Sequence, residues 1–177
     1  MKKPIAVPVV RAVLLTALLA SLGAHAANSD TATATAKVLV PIAVAKTADM
    51  NFGNVVEGNG VVTLNTDGSR VAAGSTPLVV FGSSPTAAAF HVTGDTSQTF
   101  AITYPSLPTT LAGPSASTMA FTICSAATAA ATCTGTVTTG TLSSGAADIY
   151  LGGTVTVGAS QTTGTYTGTI TVSVDYN

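Results

Sequence analysis

The chain has 177 residues, 46% of them hydrophobic and only 7% charged, with a formal net charge of −1. Six basic residues give none of the cationic footprint that a nucleic-acid binder carries. Two histidines and two cysteines leave few ligands for a metal centre.

At the start of the chain, Lys2, Lys3 and Arg11 precede the apolar run from Ala12 to Ala20, and small residues continue to Ala24-His25-Ala26. A basic stretch, an apolar stretch and an A-x-A site predict a secretory signal peptide over residues 1–26. The apolar run is shorter than the roughly 20 residues a membrane span needs, so no transmembrane segment is expected after cleavage. Residues 27–177 are enough for one domain with a sizeable core. They keep Lys37, Lys46 and Arg70 against all seven acidic residues, a net charge of −4.

Period-two patterning then recurs along the chain, and helical periodicity hardly features. Ala32, Ala34, Ala36, Val38, Val40, Ile42 and Val44 share one parity, opposite Thr33, Thr35 and Lys37, with Pro41 interrupting the run. Residues 27–46 therefore read as an amino-terminal extension and first strand, and 47–177 as the main domain. Met50 and Phe52 begin the next strand, and Val62 and Leu64 follow. Asn65-Thr-Asp-Gly-Ser69 predicts a turn, because Gly68 tolerates positive φ. Leu78 to Phe81 is a continuous apolar run, suited to a strand covered on both faces. Ala88, Phe90 and Val92 share a face, as do Phe100, Ile102 and Tyr104, with Gly94 to Ser97 as the turn between them. Met119, Phe121 and Ile123 lead into Cys124, and Ile149 with Leu151 and Val155 with Val157 precede the closing segment. In that segment, Gly164 to Asn177, one face is Tyr166, Gly168, Ile170, Val172, Val174 and Tyr176. The other is Thr165, Thr167, Thr169, Thr171, Ser173 and Asp175. About eight to ten short strands at this spacing predict an all-β antiparallel sandwich.

Cys124 and Cys133 lie in the exported part, where a disulfide forms and persists. Their short spacing predicts a local staple across a hairpin. Their spacing is not Cys-x-x-Cys, and no neighbouring His or Lys lowers a thiol pKa. Catalytic chemistry is nearly missing from the sequence: His91 sits opposite Phe90 and Val92 as a solvent-facing strand residue, and no base with an orienting acid pairs with any serine. Asp67 and Asp95 fit turns for backbone reasons alone. No enzyme activity, cofactor or metal is expected.

The ends of the chain carry a resemblance. Gly164 is fourteenth from the end and Tyr176 penultimate, with alternating apolar residues between them. The segment resembles the carboxyl-terminal strand of chaperone–usher pilins of Gram-negative bacteria. Met50-Asn-Phe-Gly53, Asp67-Gly-Ser-Arg70, Leu151-Gly-Gly153 and Gly164-Thr-Tyr-Thr-Gly168 look like landmarks of an uncharacterised bacterial domain family. That family is similar in turn to spore-coat-U-type pilins. Cys124 and Cys133 depart from the many pilins whose disulfide lies near the first strand.

The resemblance implies an immunoglobulin-like sandwich lacking its final strand and built into a fimbria by donor-strand exchange. It implies a chaperone and donor groove at Gly164, Tyr166, Ile170, Val172, Val174 and Tyr176. A donor strand within residues 31–44 would insert Ala34, Ala36, Val38, Val40, Ile42 and Val44. The implied partners are copies of itself or other pilins, a periplasmic chaperone and an outer-membrane usher, with transit through the periplasm to the cell surface. Two other classes stay open on the residues alone: a monomeric secreted sandwich whose own first strand completes it, and a glycan- or ice-binding module using the Thr165 to Thr171 row.

Overall fold

A computed structural model describes residues 28–75 and 84–177. The expected signal peptide, with His25, and the Leu78 to Phe81 strand lie outside the described residues. Residues 37–177 form one compact unit, while residues 28–36 form no helix or strand.

Among the described residues ten strands follow one another: β1 (Ala43–Ala48), β2 (Gly60–Leu64), β3 (Arg70–Gly74), β4 (Ala88–Thr93), β5 (Thr99–Ser106), β6 (Thr110–Ala112), β7 (Thr118–Ala126), β8 (Thr139–Thr141), β9 (Ala146–Val157) and β10 (Thr171–Tyr176). Every pairing is antiparallel. The larger sheet has seven strands, and the smaller has the order β10-β5-β8. The chain is the expected all-β antiparallel sandwich.

The twelve residues of β9 organise the larger sheet. Tyr150 and Leu151 pair with both β4 and β7, and Gly153 to Thr156 pair with both β2 and β7. Thus β7 runs along one edge of β9, while β4 and then β2 succeed each other along the other. The changeover falls at Gly152 and Gly153. A Cβ on Gly152 would meet the Leu64 carbonyl oxygen, and one on Gly153 would lie 2.8 Å from the Thr122 carbonyl oxygen. Only glycine lets the neighbouring backbones close in at this point.

Alternation puts the apolar side chains of the strands inside. Val92 of β4, Phe100 and Ile102 of β5, Ile149 and Leu151 of β9, and Val172 and Val174 of β10 form one core cluster between the two sheets. A second cluster, Val62, Phe121, Val155 and Val157, comes entirely from the larger sheet. No strand of the smaller sheet contributes to it. Its cover is the segment around Met50, Phe52 and Val55, together with Ile170, while Leu111 and Met119, from strands of the same sheet, pack beside it.

Several expected elements differ from those observed. Within residues 27–46, expected to hold an extension and the first strand, the strand begins at Ala43, after Pro41, which has no N–H to give a ladder. Met50 and Phe52 start no strand; only an isolated bridge joins Asn51 to Thr86 there, and Gly53 turns away at φ 70. The closing strand spans Thr171–Tyr176 alone, and an isolated bridge ties Thr167 to Ala112 upstream of it.

Cys124 and Cys133 are joined, with Cα atoms 5.3 Å apart. The bridge does not staple a hairpin. β7 pairs with β6 and β9 and β8 pairs with β5, so the cystine ties down a loop that crosses from one sheet to the other. That loop docks on the β2–β3 turn. The buried Thr66 hydroxyl donates to the Ala130 carbonyl at 3.1 Å, and the Thr66 amide donates to Thr132 at 3.3 Å. Replacing both cysteines by alanine is expected to cost about 2–3 kcal/mol by chemical denaturation, from lost closure of a short loop. Amide exchange at Thr66 should rise with it. Unchanged protection there would mean that the loop holds itself.

Further along the same loop, the Ser125 hydroxyl accepts from the Val137 amide at 2.9 Å and bonds the Tyr104 hydroxyl at 2.6 Å, which itself donates to the Val137 carbonyl at 3.1 Å. Burial pushes the Tyr104 phenol above its ordinary value near 10, opposed by the Ser125 bond. A phenol raised in the folded state contributes stability that is full below the unfolded pKa and lost as pH climbs through the folded one. Denaturation midpoints between pH 8 and 11.5 should therefore fall at the alkaline end, and fall less steeply in Tyr104→Phe. Parallel curves for the two proteins would refute the assignment.

Candidate functional site

Where the smaller sheet stops short, the second core cluster lies at the bottom of an open groove of about 560 Å³. Its floor is Phe121 and Met119 of β7 with Val155 and Val157 of β9. One rim is the segment Met50 to Val55, and the other runs from Gln161 to Ile170. The floor is apolar, whereas the rims carry Asn51, Asn54, Glu57, Gln161 and a row of threonines.

Both rims are held by polar side-chain contacts that the sequence pattern alone did not reveal. Arg70 at the start of β3 donates to the Phe52 carbonyl and, at 3.1 Å, to that of Asn54. The Asn51 side chain accepts the Gly53 amide at 2.7 Å. Upstream of Arg70, the Ser69 hydroxyl (2.6 Å) and amide (2.8 Å) both donate to the Asp67 carboxylate and hold its pKa below the usual range. The turn thus fixes the base of the arginine, and the arginine fixes the rim. On the opposite rim Tyr166 is the pin. Its hydroxyl donates to the Thr162 carbonyl at 2.7 Å, accepts from Gln161 at 2.6 Å and bonds Ser117 at 2.9 Å. The ring occupies the space that a side chain at Gly113 would fill. Gly164, at φ +147, packs on Pro114.

The expected groove residues divide. Gly164, Tyr166 and Ile170 line the cavity with Gly168. Val172 and Val174 do not: each is 8% exposed and covered by its own chain, in the cluster with Val92, Ile149 and Leu151. They were expected to face an opening; the inner face of β4 and β9 already fills it. Among the described residues β10 pairs with β5 alone, and β1, at the margin of the other sheet, pairs with β4 alone. Tyr176 is half-buried and hydrogen-bonded at both lone pair and proton.

The expected donor residues divide as well. Val44 sits in β1 opposite Val92, and Ile42 packs on the same core, so the subunit uses both itself. Val38 and Val40 are 93% and 58% exposed, whereas Leu39, of the opposite parity, is half-buried. Ala34 and Ala36 are exposed and outside any strand. His91 faces outward as expected, 2.7 Å from the Asp148 carboxylate across the β4–β9 pair. Among the described residues no three His, Cys, Asp or Glu side chains gather as metal ligands.

An antiparallel sandwich with an open apolar groove defines the class. The chain belongs to a family known as a domain of unknown function, DUF4402, whose model matches residues 42–176. The matched span begins at Ile42, so the exposed residues up to Val40 precede it. No curated protein and no solved structure matches the chain.

A charge inserted at each face separates the buried from the free side of β10. Val172→Asp should lose at least about 3 kcal/mol, because a carboxylate would be buried without a partner. Thr171→Asp, on the exposed face, should stay within about 1 kcal/mol. Urea midpoints report both, and equal losses would overturn the register of β10.

Proposed function

We propose that this protein is a structural subunit of a surface fimbria, assembled by strand addition between copies. The observation that carries the reading is an apolar groove that reaches Ile170, just before β10, a strand that among the described residues pairs with β5 alone. An unpaired edge offers a row of backbone donors and acceptors to another chain, and strand addition by donor-strand complementation is one established mode of filling it. The chain also bears a suitable extended segment. Residues 31–40 offer Ala34, Ala36, Val38 and Val40 on one face, with two of the large side chains exposed. Burying Val38 and Val40 would contribute roughly 3–6 kcal/mol before ordering costs. Ile42 and Val44 drop out of the donor, being used within their own subunit.

On this reading the chain is exported through residues 1–26, held in the periplasm by a chaperone that covers the groove, and passed through an outer-membrane usher to the surface of a Gram-negative cell. It works by binding and not by catalysis, without a cofactor or nucleic acid. The disulfide fits an exported protein, and no helix among the described residues is long and apolar enough to cross a membrane. The second reading, a monomeric secreted sandwich, draws on Val172 and Val174, which are buried without help from another chain.

Surface material should run as a ladder of multimers that survives detergent at room temperature and collapses on boiling, since strand exchange is held by a whole ladder and several buried side chains. Deleting residues 27–40 should abolish the ladder while leaving a chaperone-bound monomer. A peptide of the deleted sequence should stabilise that monomer without restoring growth. Monomer alone on the surface of cells with the intact chain would favour the second reading.

A further inference from the structure

The segment just before β1 is held down by contacts that the proposed strand addition does not require. The Tyr176 hydroxyl donates to the Val40 carbonyl at 2.7 Å and accepts the Asp95 amide at 2.6 Å. Lys37 adds an ion pair to the Asp95 carboxylate at 3.6 Å. The arrangement depends on Gly94, because a Cβ there would strike the Tyr176 hydroxyl and the Leu142 side chain. Three polar contacts thus converge where β10 ends, and all that they grip of the segment is its backbone and one lysine. Its apolar side chains Val38 and Val40 are left pointing outward.

We infer that Tyr176 is a positioning residue that moors the root of the amino-terminal extension, so that the extension is presented to a second copy and kept out of its own subunit's opening. Ala43 pairs with Thr93, and Tyr176 pairs with Phe100, so the root of β1 and the end of β10 meet at the same β4–β5 turn. From there β1 runs away toward Asp49, and the groove begins only beyond it, at Met50. To fill its own opening, the extension would have to reverse direction at Pro41 and Ile42. Fixing the Val40 carbonyl on the tyrosine removes that reversal. The directional half of this inference rests on the proposed function; the mooring does not.

Tyr176→Phe keeps the ring and removes both hydrogen bonds. Amide exchange at Asp95, and trypsin cleavage after Lys37, should each rise about tenfold, as loss of about one net hydrogen bond predicts. Exchange along the β4–β9 pair serves as the folding control. Should that variant fail to fold, Asp95→Asn is the second arm: cleavage after Lys37 should rise by about twofold, in keeping with an exposed ion pair. No rise in either protein would overturn the mooring. Direction is read from the full mature chain carrying a nitroxide on Ala34→Cys. In dilute, isotope-labelled protein the Val172 and Val174 amides should keep their intensity, and broadening there would overturn the directional claim. When unlabelled nitroxide chains are mixed at high concentration with labelled chains lacking nitroxide, the same amides should broaden. Failure of that last arm alone would count against the proposed function and leave the mooring intact.

Discussion

The length of β9 sets the terms for the rest of the molecule. Twelve residues in one strand serve three partners, and the strand's inner face stays apolar from Ile149 to Val157. The smaller sheet has only three strands and covers the first half of that face. An apolar surface left to water is costly at roughly 25 cal/mol per Å², so the second half must be covered by something other than a sheet. Among the described residues two irregular segments do this, and they leave part of the face uncovered. The groove is the consequence. It is the place where a sheet continues and its cover does not.

Irregular covers need fixing, and this chain fixes them with few residues. Arg70 grips carbonyls on one rim from the first position of β3, and its position follows from a turn closed on Asp67. Tyr166 grips the other rim through three hydroxyl contacts. Residues far apart in sequence, Met50 to Gly53 and Asp67 to Arg70, prove to be two sides of one contact. A groove whose rims are tied to the turns of its own sandwich keeps its shape when empty. Binding there then avoids much of the ordering cost that a collapsed site would carry.

Parity was readable before pairing. The alternations at Ala88 to Val92, Phe100 to Tyr104 and Val172 to Val174 fall on the faces that the residues dictate, since a one-residue slip would turn each strand inside out. The turn at Asn65 to Ser69 was legible for the same local reason. Pairing depends on residues distant in sequence, and there the reading went astray. Nothing near Val172 says that β4 and β9 already cover it, so a buried strand looked like an open one. The hairpin assigned to Cys124 and Cys133 failed likewise, because spacing fixes how near two cysteines lie and not which sheets lie on either side. Met50 and Phe52 have strand parity, yet Gly53 at positive φ and the pull of Arg70 turn them into a rim. Tyr176 was assigned to the groove for its ring, whereas its hydroxyl is the part that makes contacts across the molecule.

Pro41 marks the deepest division in the chain. On its carboxyl side, Ile42 and Val44 are spent on the subunit's own core; on its amino side, Val38 and Val40 of the same parity are spent on nothing within it. Alternation alone would carry one strand through all four. A proline has no N–H to continue a ladder and disfavours the helical region for the residue before it, so the run breaks there without losing its phase. The same one-sided pattern can then serve two purposes, closing this sandwich after the proline and offering an apolar face before it. The family model starts at Ile42, on the side that the sandwich keeps. The proline thus separates side chains that the core takes up from side chains that stay exposed on the same face.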